Sequence, residues 1–349
     1  MRIRWSIWLL VLLLAVLVLA ACGGKSSSGG GNTTSSTTTS AGKKIKVGLV
    51  TDIGGLNDRS FNHLNYVGLL RAERELGVQG RVLESHAASD YVPNLSTLAQ
   101  QHYDLVIGVG FLMADAVDTV AVKFPQVSFA IVDFSRAALK HKPKNVRGIL
   151  FKEQQGGYLA GYLAGLVVKH QGGKQVVSTV GGQKIPPVDR YIAGFQAGAK
   201  AADPGVKTLN GYSQDFVDQA KCKELALTQI AAGSQAVMQV AGGCGLGALD
   251  AAKEKHVWGI GADADQSFLG PYILTSALKK DDVAVFKTIK SVEDGTFKGG
   301  RDVTFDVASG AAGLGKIAAK VPKDIAQKAL QKQRDLAAHK VADIPTTVG

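Results

Sequence analysis

The most constraining feature of the sequence is an alternation of short apolar runs with amphipathic helical patterns, which occurs in two consecutive series. The first series predicts the strands Ile45–Val50, Arg81–Ser85, Leu105–Val109, Val127–Val132 and Val146–Phe151. The second predicts the strands Gln175–Val180, Val206–Leu209, Ala236–Val240 and Val257–Gly261. Strands that alternate with helices are typical of βαβ units. Two such series in one chain predict an α/β fold with two parallel sheets and helices on both faces.

The segments outside these two series also have recognisable patterns. Residues 156–168 are apolar on nearly every face and include four glycines, which predicts a buried helix because the segment is too short to span a membrane. Farther along the chain, Ile273–Leu278 and Val303–Val307 are predicted strands, and Asp281–Asp294 and Lys323–His339 are predicted helices.

The amino terminus has the pattern of an exported lipoprotein. Residues 1–21 combine two arginines with a long apolar run, as in a secretory signal peptide, and small residues directly precede Cys22. The alternative is a membrane-spanning anchor, but the small residues around Cys22 favour cleavage and lipidation at that cysteine. Residues 22–42 are mostly Ser, Thr and Gly, so we expect a flexible tether between the lipid and a folded part that begins near Lys43.

The charge and the remaining cysteines narrow the possible functions. The formal net charge is +11, but the lysines are scattered and form no basic run with aromatic residues, so we expect no nucleic-acid partner. Cys222 and Cys244 lie in an exported part of the chain and can form a disulfide or remain free. Two cysteines without nearby histidines do not supply the ligands of a metal site.

The first predicted strand ends in a polar corner, where ligands bind in open α/β sheets. Asp52 closes the strand, residues 54–55 are two glycines, and Asp58 lies where its oxygens can cap the next helix. Asn62 and an aromatic ring, Phe61, follow. A ring in a polar corner indicates stacking on a ligand; the alternative is that Phe61 turns into the core.

Further polar or aromatic groups lie at or near the ends of later strands: Asp133, Phe216, Gly242, Asp263 and Lys279. Each has an ordinary structural alternative. Residues 242–247 are glycine-rich and resemble a phosphate cradle, but they lack a nucleotide-binding fingerprint, and such a segment is more often a tight turn. Asp263 and Asp265 could share a metal ion, although alternate residues of an extended segment point in opposite directions. The sequence contains no Gly-x-Ser-x-Gly and no histidines at ligand spacing, so these groups predict binding rather than catalysis.

A set of motifs in fixed order makes a family resemblance specific. They are Thr51-Asp52, Gly54-Gly55, Asp58, Ser60-Phe61-Asn62, Tyr91-Val-Pro-Asn-Leu-Ser96, Gln239-Val-Ala-Gly-Gly243, Gly261, Asp263, Asp265-Gln266, Leu274-Thr-Ser276, Lys279, Gly295-Thr-Phe297 and Gly299-Gly300. Together they resemble the basic membrane protein (BMP) family, which consists of lipid-anchored substrate-binding proteins of ABC transporters similar to the purine nucleoside receptor of spirochaetes. The match extends from Lys43 to about Gly315. Cys244 in the glycine turn and Ala262 before Asp263 depart from the family pattern.

The resemblance implies a type I periplasmic-binding fold, in which two lobes joined by three crossovers close on a ligand. The corresponding division places residues 43–155 and 268–297 in the first lobe and residues 156–267 and 298–349 in the second. It implies a monomer without cofactor or metal, attached to the outer face of the cell membrane and partnered by an ABC permease.

The resemblance also assigns roles to the residues of the polar corners. The base of a nucleoside would lie between Phe61 and Phe216, with base-edge contacts from Asp52 and Asn62. Ribose contacts fall on Asp263 and Lys279, and Asp58, Asp133 and Gly242 complete the implied binding set. Two other functions remain open: a lipoprotein that binds or senses another polyhydroxylated ligand, such as a sugar or autoinducer, and a metal-dependent enzyme that uses Asp263 and Asp265.

Overall fold

The computed structural model describes residues 44–341 and 343–349. The predicted signal peptide, the lipidated Cys22 and the tether lie outside these residues. Within the part that is described, no helix combines the length and the apolar character that a membrane crossing requires.

The described chain folds into strands and helices that alternate through most of its length. The strands are β1 (Lys46–Val50), β2 (Gln79–Leu83), β3 (Leu105–Gly108), β4 (Ser128–Val132), β5 (Val146–Phe151), β6 (Val176–Gly181), β7 (Lys207–Tyr212), β8 (Ser234–Val240), β9 (Trp258–Asp263), β10 (Ile273–Lys279), β11 (Arg301–Phe305) and β12 (Ala312–Leu314). The helices are α1 (Phe61–Leu76), α2 (Tyr91–Gln100), α3 (Ala114–Lys123), α4 (Glu153–Gln171), α5 (Pro186–Ala202), α6 (Gln219–Ala231), α7 (Gly242–Glu254), α8 (Asp281–Glu293) and α9 (Lys323–Ala337).

The strands form two six-stranded sheets, as the two series predict. The first sheet has the order β11-β5-β4-β3-β1-β2, and the second has the order β12-β10-β9-β8-β6-β7. All neighbouring strands are parallel except β10 and β12, which are antiparallel. We call the first sheet with its helices the first lobe and the second sheet with its helices the second lobe. The chain passes between the sheets after β5, after β10 and after β11, which confirms three crossovers.

The predicted division of the last part of the chain is wrong at two strands. Residues 268–297 are predicted to belong to the first lobe, but β10 pairs with β9 in the second sheet. Residues 298–349 are predicted to belong to the second lobe, but β11 pairs with β5 in the first sheet. Strand pairing over such sequence distances depends on tertiary packing, which the local pattern does not contain. The short strand β12 was not predicted either.

The central strands are buried because helices cover both faces of each sheet, as parallel sheets require. Every residue of β3 and of β6 is buried, whereas the edge strand β2 is only partly covered. The glycine-rich helix predicted at residues 156–168 is the buried part of α4. A Cβ atom at Gly161 would lie 2.0 Å from the carbonyl oxygen of Phe195, so the glycines allow α4 and α5 to pack closely.

The glycine-rich segment 242–247 is neither a tight turn nor a phosphate loop, because it forms the first turns of α7. A Cβ atom at Gly247 would lie 1.9 Å from the carbonyl oxygen of Gln219, so a glycine here permits close contact with α6. Cys222 of α6 and Cys244 of α7 form a disulfide, with their Cα atoms 5.5 Å apart. The bridge therefore joins two neighbouring helices of the second lobe.

Candidate ligand-binding site between the two sheets

A cavity lies between the carboxyl ends of the two sheets. The structure brings all nine residues predicted from the sequence to its wall: Asp52, Asp58, Phe61, Asn62, Asp133, Phe216, Gly242, Asp263 and Lys279. The wall also contains Gly54, Gly110, Phe111, Leu112, Ile185, Pro187, Val188, Tyr191 and Val240. Both lobes contribute, so a molecule in the cavity would be held from two sides.

Two aspartates occupy equivalent places where central strands of the two sheets end. Asp133 follows β4 with φ +65°, and Asp263 closes β9 with φ +61°. Residues with side chains seldom adopt this left-handed region, and such conformations are concentrated at functional sites. In both lobes the backbone therefore turns sharply at the point where a carboxylate meets the cavity.

Asp52 and Asn62 form one edge of the cavity. The side-chain amide of Asn62 donates to Asp52 Oδ1 over 2.8 Å, and the backbone N–H of Gly54 donates to the same oxygen over 3.0 Å. Burial raises the pKa of the Asp52 carboxyl, although these two hydrogen bonds partly offset the increase. The Asn62 Oδ1 atom is buried and has no hydrogen-bond partner among the described residues. This edge therefore presents hydrogen-bond acceptors.

Asp58 lies on the wall, but its carboxylate is largely engaged by the backbone. Its oxygens accept hydrogen bonds from the N–H groups of Ser60, Asn62 and His63 over 2.7–3.1 Å, which caps α1 as the sequence predicts. Burial nevertheless raises the pKa of Asp58 to about 7.

The two predicted aromatic residues come from opposite lobes. Phe61 begins α1; it is half-buried, packs against the core of the first lobe and also lines the cavity. Phe61 therefore combines the two predicted alternatives, because it packs against the core and also lines the cavity. Phe216 precedes α6, packs against the core of the second lobe and contacts the start of α7.

Lys279 is the central cation of the site and is only 3% exposed. Its Nζ atom lies 2.6 Å from Asp133 Oδ2, 4.0 Å from Asp263 Oδ1 and 4.5 Å from the centroid of the Phe61 ring. Burial alone would lower the pKa of Lys279, but the surrounding carboxylates raise it above its usual value. Lys279 therefore stays charged and links the second sheet to the first.

Asp263 makes most of its contacts within the protein. Its Oδ1 accepts from the hydroxyl of Tyr191 over 3.0 Å, and its Oδ2 lies 3.0 Å from the Ser60 hydroxyl. Ser60 also lies 2.9 Å from the carbonyl oxygen of Ala262, so one serine of the first lobe bridges two groups of the second. By contrast, Asp133 Oδ1 is buried and has no hydrogen-bond partner in the described structure.

Two further buried carboxylates surround Lys279 at the crossovers. Asp281 begins α8 with an oxygen 3.8 Å from Lys279 Nζ, and neither of its oxygens has a hydrogen-bond partner in the described part of the chain. Glu153 begins α4, 3.4 Å from Arg190. Burial, reinforced by the charge of Asp133, raises the pKa of Glu153 to about 8. Burial therefore favours the protonated form of the Glu153 carboxyl near neutral pH.

The metal-site alternative finds no support in the positions of its two aspartates. The Asp265 carboxylate accepts from the backbone N–H groups of Ser267 and Lys316, away from the partners of Asp263. In residues 44–341 and 343–349, no cluster of three or more acidic, histidine or cysteine side chains is arranged to hold a metal ion.

The sequence did not reveal four groups near the site: Gly110, Glu153, Tyr191 and Asp281. Tyr191 lies inside the amphipathic helix α5, where an aromatic residue is typical of the core. Glu153 and Asp281 lie in the first turns of helices, where acids are commonly found for capping. Only Gly110, which follows a buried strand, carried a signal that strand-end inspection could have found.

Comparison with known proteins identifies the family. Residues 45–345 match the family described as ABC transporter substrate-binding protein PnrA-like. The chain belongs to this family. Its relatives include the ABC transporter nucleoside-binding protein BmpA of Lactococcus lactis, 33% identical over 293 residues, which are 78% of this chain and 81% of that protein. The CD4+ T-cell-stimulating antigen of Listeria monocytogenes is 34% identical over 308 residues, 82% of this chain and 84% of that protein.

A solved structure supports the same assignment. An ABC transporter solute-binding protein from Aeropyrum pernix K1 superimposes with a TM-score of 0.77 and 25% sequence identity, covering 86% of this chain and 94% of that one. Membership of the PnrA-like family and the two-sheet topology confirm the predicted periplasmic-binding fold, and they place the chain among proteins that bind substrates for ABC transporters.

Proposed function

We propose that this PnrA-like protein binds a nucleoside in the cavity between its lobes and delivers it to the permease of an ABC importer. The observation that carries the proposal is the chemistry of the cavity wall. Phe61 and Phe216 supply an aromatic ring from each lobe, while Asn62 Oδ1 and Asp133 Oδ1 are buried acceptors without hydrogen-bond partners among the described residues. Buried polar atoms are costly when unpaired, so a ligand with rings and hydrogen-bond donors fits them.

A nucleoside has two parts that match this wall. Its base has two apolar faces for the phenylalanine rings and a polar rim for Asp52 and Asn62. Its ribose carries hydroxyl donors for Asp133 and for Asp263, which both lie near the Lys279 ammonium. The L. lactis relative that is named a nucleoside-binding protein supports the same ligand class.

Ligand binding and closure are coupled in this proposal. Asn62 and Asp133 come from the first lobe and Lys279 comes from the second, so the complete set of wall groups exists only when the lobes meet. A ligand that bridges them shifts the balance towards the closed form by its extra affinity for that form.

Calorimetric titration of the purified protein tests the ligand class. We expect purine nucleosides to bind without turnover, and mass spectrometry to find a nucleoside retained after purification. Truncating Phe61 or Phe216 to Ala should weaken nucleoside binding about tenfold or more, since stacking of a base contributes ~1–3 kcal/mol. Binding of a free sugar with no binding of any nucleoside would show that the ligand class is wrong.

The membrane attachment is a separate part of the proposal. The small residues before Cys22 and the tether 22–42 support a lipid anchor at the extracytoplasmic face, next to the permease. We expect Cys22→Ser to release the protein from the membrane fraction. A variant that remains in that fraction after signal cleavage would contradict lipidation at Cys22.

A further inference from the structure

The edge of the cavity formed by Asp52 and Asn62 has a fixed hydrogen-bonding polarity. Asn62 Nδ2 lies 2.8 Å from Asp52 Oδ1, which also accepts from the Gly54 N–H. The opposite orientation of the amide would place its oxygen against the carboxylate, with two acceptors facing each other. Asp52 therefore fixes the amide, and Asn62 Oδ1 is left buried, with no hydrogen-bond partner in the part of the chain that the structure describes.

The second acceptor of this edge is Asp52 Oδ2. Both protein donors go to Oδ1, so Oδ2 keeps its capacity to accept. A Cβ atom at Gly110 would lie 2.7 Å from Asp52 Oδ2 and 3.4 Å from Cε1 of Phe61. Gly110, with φ +114°, thus keeps side-chain atoms away from the corner where the carboxylate meets the aromatic ring. A base stacked on Phe61 would meet the carboxylate there.

We propose that this edge selects a purine with two adjacent N–H donors, as in guanosine, over adenosine. The inference rests on the proposed nucleoside function and deepens it. Guanine carries a ring N1–H beside an exocyclic 2-amino group, so it can donate to Asp52 Oδ2 and Asn62 Oδ1 together. Hypoxanthine, the base of inosine, has the N1–H alone. Adenine places the lone pair of N1 beside its amino group, and that lone pair would face an acceptor.

The test is calorimetric titration of the wild-type protein with guanosine, inosine and adenosine. Guanosine should bind about tenfold to a hundredfold more tightly than adenosine, the discrimination that a bidentate base contact provides, with inosine between them. Asp52→Asn replaces an acceptor with a group that can also donate, so the preference for guanosine should narrow or reverse. The matched control is Asp133→Asn, which alters the Lys279 side of the cavity and should weaken all three ligands by a similar factor.

The outcomes separate this inference from the function on which it rests. Adenosine binding as tightly as guanosine to the wild-type protein would overturn the base selection and leave nucleoside binding intact. Failure of all three nucleosides to bind would overturn the proposed function. The wild-type ranking needs no variant, so the inference stays testable even if Asp52→Asn does not fold.

Discussion

Each lobe presents an aspartate to the cavity, but the two aspartates differ in the hydrogen bonds that their oxygens accept from the protein. Asp133 of the first lobe and Asp263 of the second both end central strands with a left-handed backbone, and both lie near Lys279. Asp263 has hydrogen-bond partners on both oxygens, Tyr191 and Ser60. Asp133 has Lys279 on one oxygen and no hydrogen-bond partner within the described residues on the other.

This difference indicates a division of labour between the lobes. Asn62 Oδ1 and Asp133 Oδ1, the acceptors of the cavity wall that have no hydrogen-bond partner among the described residues, belong to the first lobe. The charged and hydroxyl groups that the second lobe contributes to the wall, Tyr191, Asp263 and Lys279, already have protein partners. Under the proposed function, the first lobe would therefore select the ligand and the second would act mainly by closing over it.

The largest effect should come from removing the cation that joins the lobes. Lys279→Met leaves the buried Asp133, Asp263 and Asp281 without their shared counter-charge, which should destabilise the protein by ~3–5 kcal/mol and abolish nucleoside binding. Urea unfolding and calorimetry measure the two effects. Lys280→Met, at the exposed neighbouring position, is the matched control and should change little. Equal stability of both variants would show that the buried ion pairs are not a structural link between the lobes.

The pH dependence of stability tests two buried acids, Glu153 at the start of α4 and Asp58 at the start of α1. Folding raises the pKa of Glu153 from 4.5 to about 8 and that of Asp58 from 3.8 to about 7, in both cases mainly through burial. The folded state therefore holds protons that the unfolded chain releases, so the contribution of these two groups to stability is fully present below about pH 4 and is lost as pH rises through about 7–8. The loss should be on the order of a few kcal/mol.

Urea unfolding over this pH range measures the loss of stability. Glu153→Gln should remove the part of that loss that occurs at the high end of the range, because glutamine does not titrate. The exposed Glu293, in the last turn of α8, supplies the control variant Glu293→Gln, which should keep the wild-type profile. A profile that rises between pH 5 and 8 in the wild-type protein would show that Glu153 is not held in its protonated form.

Sequence patterns predicted the sheets and the nine cavity residues for the same physical reason. Residues such as Asp52, Asp133 and Lys279 follow strands, and parallel strands bring their carboxyl ends to one edge. The hydrogen-bond state of each residue was not predictable, because Tyr191 and Ser60 reach Asp263 from other elements through tertiary packing. The lobes to which β10 and β11 belong were not predictable for the same reason, since strand pairing decides them and the local sequence pattern does not.

Replacing either of the two aspartates should have a more moderate effect on nucleoside affinity. Asp133→Asn removes a charged acceptor that has no hydrogen-bond partner in the described structure, so nucleoside affinity should fall by ~1.5–3 kcal/mol, about tenfold to a hundredfold. Asp263→Asn alters an acid whose oxygens already accept from Tyr191 and Ser60, and the loss of affinity should be smaller. Calorimetry on both variants decides the order. A greater loss in Asp263→Asn would place the main ribose contact in the second lobe.

The smallest effect should come from the serine that bridges the lobes. Ser60→Ala removes a hydroxyl 2.9 Å from the Ala262 carbonyl, an interaction that contributes ~0.5–1.5 kcal/mol and exists only when the lobes are closed. The open form should gain population, so nucleoside affinity should fall by up to about tenfold while the contacts to the ligand stay in place. Ser135→Ala is the matched control, because Ser135 donates to Asp302 within the first lobe and should affect stability without affecting affinity. If Ser60→Ala binds nucleoside as the wild-type protein does, the hydroxyl does not favour closure.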